Sequence, residues 1–125
     1  MQNLVADDLT IELDRSTEGV IRLDWIGKSN ARQPSQILGP FFDSVADQAA
    51  QSQSMIEMHF ERMEHFNSST ITAVIRFIQH LRAQGVRLKI VFDGALKWQK
   101  LSFEALRIFE KPDGLLAFQA AGRGA

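Results

Sequence analysis

His65-Phe66-Asn67-Ser68-Ser69-Thr70-Ile71 is the stretch whose reading decides the fold. An alternating segment runs into it. From Met55 to Glu61, Ile56, Met58 and Phe60 oppose Glu57, His59 and Glu61, the period of a strand with one wet face. A segment of helical period runs out of it, with Ile71, Val74, Ile75, Ile78 and Leu81 as its apolar stripe and Arg76, Gln79 and Arg82 facing out. Gly85 is a natural stop for that helix. The stretch therefore reads as a strand-to-helix turn. Asn67 is the expected N-cap, with Phe66 before it and Ile71 at the fourth helical position, placed for a hydrophobic staple. Ser68, Ser69 and Thr70 then fill the first three helical positions. A phosphate on Ser68 would meet unpaired backbone N–H groups and the positive end of the helix dipole. It would add about −1.5 to −2 charge, a large local change on a chain of formal net charge −1. Asn, Ser and Thr are also ordinary capping residues, so the residue types alone leave capping and modification both open.

Outward from the turn, the chain reads as strands and helices in alternation. Leu9–Asp14 and Val20–Trp25 both alternate apolar and polar residues around a turn-like Arg15-Ser16-Thr17-Glu18-Gly19, which predicts an antiparallel hairpin. Gly27 to Pro34 is polar and irregular and reads as a loop. Ile37, Leu38, Phe41, Phe42, Val45 and Ala49 recur at helical spacing, with Gly39-Pro40 either starting that helix or kinking it, and Gln51-Ser52-Gln53-Ser54 ending it. After Gly85, Leu88, Ile90 and Phe92 mark a further strand, and Asp93-Gly94 turns into a helix over roughly Leu96 to Phe109. The expected apolar face of that helix is Leu101, Ala105, Leu106 and Phe109. Lys111-Pro112-Asp113-Gly114 is a turn, Leu115 to Ala120 a last short strand, and residues 121–125 a loose tail.

The order is β-β-α-β-α-β-α-β, an α/β chain with a mixed sheet. Right-handed crossovers between strands added in sequence order put the helices mainly on one face. The other face would carry Glu12, Arg22, Asp24, Glu57, His59, Glu61 and Lys89. The same geometry gathers three loops at the carboxyl ends of the strands: Gly27 to Pro34, His65 to Ser69 and Asp93 to Lys97. That edge is where such sheets place ligand and partner sites.

Composition narrows the function. At 125 residues, 45% hydrophobic and 23% charged, the chain suits one ordinary folded domain spanning residues 1–125. No apolar run approaches the roughly 20 residues of a membrane span, and Met1 to Asp8 lacks the basic start and apolar middle of a signal peptide. The absence of cysteine rules out disulfides, thiolate catalysis and cysteine-ligated metal, and fits a cytoplasmic protein. A pI near 6.3 with interspersed charges gives no nucleic-acid footprint. His59, His65 and His80 lack metal spacing. Ser68 and His65 stand three apart with no Gly-x-Ser-x-Gly elbow, which disfavours a hydrolase. No Gly-rich phosphate loop is present. Lys28 and Arg32 are open either to a phosphate or acidic partner or simply to solvent. Trp98 reads either as an exposed partner anchor or as core.

The run from Met55 to about Phe109 resembles the STAS domain, the fold of bacterial anti-anti-sigma factors. In that family a strand ends in Asp-Ser-Ser-Gly-Leu or a close variant before an apolar helix, a Gly-containing turn and another strand. Here Phe66-Asn67-Ser68-Ser69-Thr70-Ile71, the helix to Gln84, Gly85 and the strand from Arg87 to Phe92 take those places. The family's Asp is Asn67 and its Gly is Thr70. Related regulatory phosphoproteins that control diguanylate cyclases also carry Asn before the hydroxyl run. The resemblance implies a non-enzymatic signalling protein, without cofactor or metal, in which Ser68 is phosphorylated, with Ser69 and Thr70 as substitutes. It implies a serine/threonine kinase of the anti-sigma type, a metal-dependent serine phosphatase and, on the motif variant, a diguanylate cyclase as partners, the unmodified form being the one that binds. The implied docking edge is Lys28, Ser29, Asn67, Ser68, Ser69, Thr70, Asp93, Gly94 and Trp98. The alternative is a constitutive STAS-type interaction module of a transporter or stress complex, without phosphorylation.

Overall fold

The computed structural model describes residues 3–121. Its elements are β1 (Leu4–Ala6), β2 (Leu9–Asp14), β3 (Val20–Ser29), α1 (Pro34–Ser52), β4 (Met55–Phe66), α2 (Ser68–Ala83), β5 (Leu88–Asp93), α3 (Lys97–Leu106), a 3-10 turn (Arg107–Phe109) and β6 (Leu116–Ala121). The six strands form one sheet in the order β1-β2-β3-β4-β5-β6. The first two pairings are antiparallel and the remaining three parallel. Strands added in sequence order with right-handed crossovers put all three helices on one face, as the alternation predicts. The expected tail lies outside the described residues, save Ala121, which closes β6.

Several boundaries move, each for a local reason. β1 goes unread in the sequence because three residues carry too little period to register; it pairs Leu4, Val5 and Ala6 with Ile11, Thr10 and Leu9. β3 does not stop at Trp25 but runs to Ser29, so Gly27, Lys28 and Ser29 are strand and only residues 30–33 are loop. β4 likewise runs past Glu61 to Phe66, leaving Asn67 as the whole strand-to-helix connection. α1 starts at Pro34, where a missing N–H is harmless, and contains Pro40 in its interior. Leu38, Phe42, Val45, Ala46 and Ala49 bury that helix against the sheet, which carries it through the proline.

The core is one cluster between the sheet and the helices. Trp25 at its centre lies 4.8 Å from the Phe60 ring and 5.9 Å from Phe42, and Phe42 stacks on Phe77 at 4.1 Å to join α1 to α2. α2 buries Val74, Ile78 and Leu81 as expected, with Ala73 and Phe77 in addition. It ends where expected: Gly85 takes φ +70, and Val86 N–H donates to Leu81 O at 3.0 Å. Arg82, expected to face solvent, instead clamps the far end of the helix, donating to Asp113 and, at 2.8 Å, to Phe109 O.

Two expectations about faces are corrected. α3 buries Gln99, Phe103 and Leu106. Leu101, expected inside, is 62% exposed, and Ala105 is exposed too. On the helix-free face of the sheet, His59 is not wet but 8% exposed. Glu57 Oε1 lies 2.8 Å from its Nε2 and Glu61 Oε1 3.0 Å from its Nδ1, so the two carboxylates cover the ring.

Candidate functional site

The site sits where the two central parallel strands end. β3 and β4 stay paired to their last residues only through two register shifts, after Asp24/His59 and after Gly27/Met63, beyond which Lys28 faces His65 and Ser29 faces Phe66. Gly27 stands at the second shift. It has φ +97, and a Cβ there would fall 2.1 Å from Asp8 O, the atom that accepts the Lys28 N–H at 3.0 Å. Only glycine allows that approach. Asn67 N–H then donates to Ser29 O at 3.0 Å, so the strand pair runs directly into the helix cap.

Asn67 caps α2 as expected: its Oδ1 accepts from Thr70 N–H at 2.9 Å. The same oxygen accepts the Thr70 hydroxyl at 2.7 Å. That hydroxyl has one proton, so the 2.7 Å bond between Thr70 and Ser29 hydroxyls is donated by Ser29. The other half of the Asn67 amide, Nδ2, donates to Ala31 O at 2.9 Å and ties down the loop after β3. The two positions where the motif departs from the family pattern are thus physically linked. A carboxylate at 67 could not donate to Ala31, and a glycine at 70 could not bond Ser29.

The network separates the three hydroxyls of the turn. Thr70 is fully buried and its hydroxyl is engaged; Ser68 and Ser69 are exposed. Among the described residues no hydrogen bond engages the hydroxyl of Ser68 or Ser69, or their backbone N–H groups. The first turn of α2 holds no acidic residue. An anion at Ser68 would therefore find two free donors and the helix dipole, with no carboxylate of its own turn opposing it.

The third expected loop contributes differently. Asp93 is buried, accepting Ala95 N–H on Oδ1 at 2.9 Å, and Gly94 lies beside it with room for little more, since a Cβ there would come 3.1 Å from Ala120. Trp98 is half-buried, its ring 5.1 Å from Phe66 edge-on and 6.5 Å from His65. Of the expected docking residues, Lys28, Ser68 and Ser69 are exposed, and Asn67, Gly94 and Trp98 partly so. Ser29, Thr70 and Asp93 are buried, behind that surface rather than on it. Arg32 is exposed in the loop between β3 and α1.

The sequence reading missed Gln99. Pairing of β4 with β5 stops at His59 and Val91. Beyond it, the fully buried Gln99 side chain bridges the strands: Nε2 donates to Phe60 O at 2.8 Å and Met63 O at 3.1 Å, and Oε1 accepts Asp93 N–H at 2.8 Å. A side-chain amide replaces the missing ladder bonds and locks α3 into the split. The spacing of Gln99, Phe103 and Leu106 could have shown this face, but a polar residue at its head hides it. Among the described residues no group of His, Asp and Glu is arranged to hold a metal, and no hydrogen bond joins His65 to Ser68.

A sequentially ordered six-strand mixed sheet with three helices is a STAS-like fold, shared with the anti-sigma factor antagonist SpoIIAA and with SiaC. Individual solved structures share it. A chain in the complex of the diguanylate cyclase SiaD with its activator SiaC, from Pseudomonas aeruginosa, matches at TM-score 0.71 and 20% identity, covering 97% of this chain and 100% of that one. SiaC of Pseudomonas aeruginosa matches at 0.66 and 20%, covering 98% and 100%. The Bacillus cell fate determinant SpoIIAA in its phosphorylated form matches at 0.56 and 13%, covering 88% and 91%. At these identities the likeness is one of fold. No protein-family model matches the sequence, and no curated protein does.

Proposed function

We propose that this chain is a non-catalytic regulator whose docking edge is switched by phosphorylation of Ser68. The observation that carries the reading is the division of labour at the start of α2: Asn67, Thr70 and Ser29 hold the helix from behind, while Ser68 stands exposed at its first position with an unengaged hydroxyl. Placing a dianion there changes the charge of the edge without disturbing the bonds that build it. The likeness to a phosphorylated SpoIIAA supports a switch, and the likeness to SiaC supports a diguanylate cyclase as the class of output partner. A kinase of the anti-sigma type and a metal-dependent phosphatase would set the phosphate level; ATP and metal belong to them. The edge itself is Lys28, Asn67, Ser68, Ser69, Gly94 and Trp98, with Ser29, Thr70 and Asp93 behind it.

The test is quantitative affinity purification from the native host with wild-type, Ser68→Ala and Ser68→Asp baits, together with mass spectrometry of the purified wild type. Expected are a phosphorylated Ser68 under some growth conditions, a main partner kept by Ser68→Ala, and its loss with Ser68→Asp. An unmodified turn under every condition, with both variants binding as wild type does, would instead establish the constitutive interaction module.

A further inference from the structure

We infer that the outer face of α3 is a second docking surface, distinct from the Ser68 edge, and that it receives an acidic amphipathic helix of a partner protein. Gln99, Phe103 and Leu106 occupy the buried side of α3. This leaves Leu101 and Ala105 on the outside of α3, and Ile108 exposed in the 3-10 turn that continues it, with Leu101 62% and Ile108 79% exposed. The half-buried Phe109 follows on one flank. Scattered single apolar residues on a surface need no explanation, but an aligned row continued by an aromatic residue does. Such a stripe is the complement of a helix presenting its own apolar positions at the same repeat.

Charge selects the occupant. Lys97, Lys100, Arg107 and Lys111 are exposed along this segment against only Glu104 and Glu110, an excess of two positive charges on a chain whose formal net charge is −1. Glu110 is already within 3.9 Å of Arg107, and among the described residues Lys97, Lys100 and Lys111 make no ion pair. A second copy of this chain would bring like charges together along the stripe. A bilayer would gain only a single short row of apolar side chains from a helix of 10 residues. A partner helix with carboxylates beside its apolar row satisfies both the stripe and the lysines. This surface does not involve the Ser68 hydroxyl, so it does not depend on the switch reading.

The experiment uses the full chain and a fluorescently labelled amphipathic peptide of about three heptads, Leu and Ile at its apolar positions and Glu beside them, with a twin carrying Lys for Glu. Fluorescence anisotropy should show binding of the acidic peptide and none of its Lys twin. The Leu101→Ser/Ile108→Ser variant should bind roughly tenfold or more weakly at an unchanged melting temperature, and Ser68→Asp should bind as wild type does. Lys97→Glu/Lys100→Glu should exchange the preference toward the Lys twin, a readout that survives if the apolar variant folds poorly. The inference is overturned if the acidic peptide fails to bind or if both peptides bind alike. It is also overturned if sedimentation shows a wild-type dimer dispersed by the apolar variant, or if wild type co-sediments with anionic vesicles while ignoring the peptide.

Discussion

α2 and α3 meet the same edge of the sheet, yet they begin in opposite ways. α2 starts on Asn67, which satisfies Thr70 and reaches back to Ala31. α3 starts on Leu96, whose side chain caps nothing. α2 turns its apolar residues inward; α3 leaves Leu101 outside, with Ile108 exposed in the 3-10 turn after it, and buries a glutamine. The difference follows from what each helix rests on. α2 starts where β4 is still paired with β3, at Phe66 and Ser29, and needs only an apolar stripe. α3 lies over the place where β4 leaves β5, where the open carbonyls of Phe60 and Met63 and the Asp93 N–H demand a polar partner. A helix over a gap in a sheet cannot be read by apolar period alone.

Substitutions can break or sharpen this contrast. The largest expected effect is at Phe103, fully buried with ring centroids 4.8 to 5.6 Å from Phe60, Phe92 and Phe66. Phe103→Ala should cost about 3–5 kcal/mol in urea unfolding, which would place the anchoring of α3 on the face that holds Gln99. Next, Gln99→Leu keeps most of the volume but strands three buried polar groups, and should cost about 2–3 kcal/mol. Its hydrogen-exchange signature should be loss of protection in residues 60–66, with α2 spared. At the other helix, Asn67→Ala should cost about 1–2 kcal/mol by removing the cap. Asn67→Asp keeps the acceptor and loses only the bond to Ala31, so its cost in the same assay should be smaller. Smallest of all, Leu101→Ser and Ile108→Ser should each leave stability within about 0.5 kcal/mol of wild type. A large loss at Leu101 would return it to the core and remove the contrast between the helices.

How far the sequence could be read follows the same physics. Strand order, the position of the cap and the ends of α2 were legible because Asn67 and Gly85 act locally, through their own backbone. That the connections after β3, β4 and β5 lie at one side was legible too, since those strands run parallel. What stayed hidden depended on distant partners. Ser29 looks like loop until the Thr70 hydroxyl makes it a satisfied buried residue. Gly27 looks like the start of a loop until Asp8 O is seen to occupy the space of its absent side chain. His59 looks solvated until Glu57 and Glu61, its own neighbours on the strand face, close over its ring. Gln99 carries no mark of the gap it fills.

The claim that matters most is that the Ser68 hydroxyl carries information while the residues behind it carry structure. Titration calorimetry of the main native partner against the unmodified chain and against the chain bearing phosphoserine at position 68 tests it directly. The expected result is an affinity lower by about tenfold or more for the phosphorylated form, at an unchanged melting temperature. Equal affinity of the two forms, or a phosphorylated form that no longer folds, would contradict it.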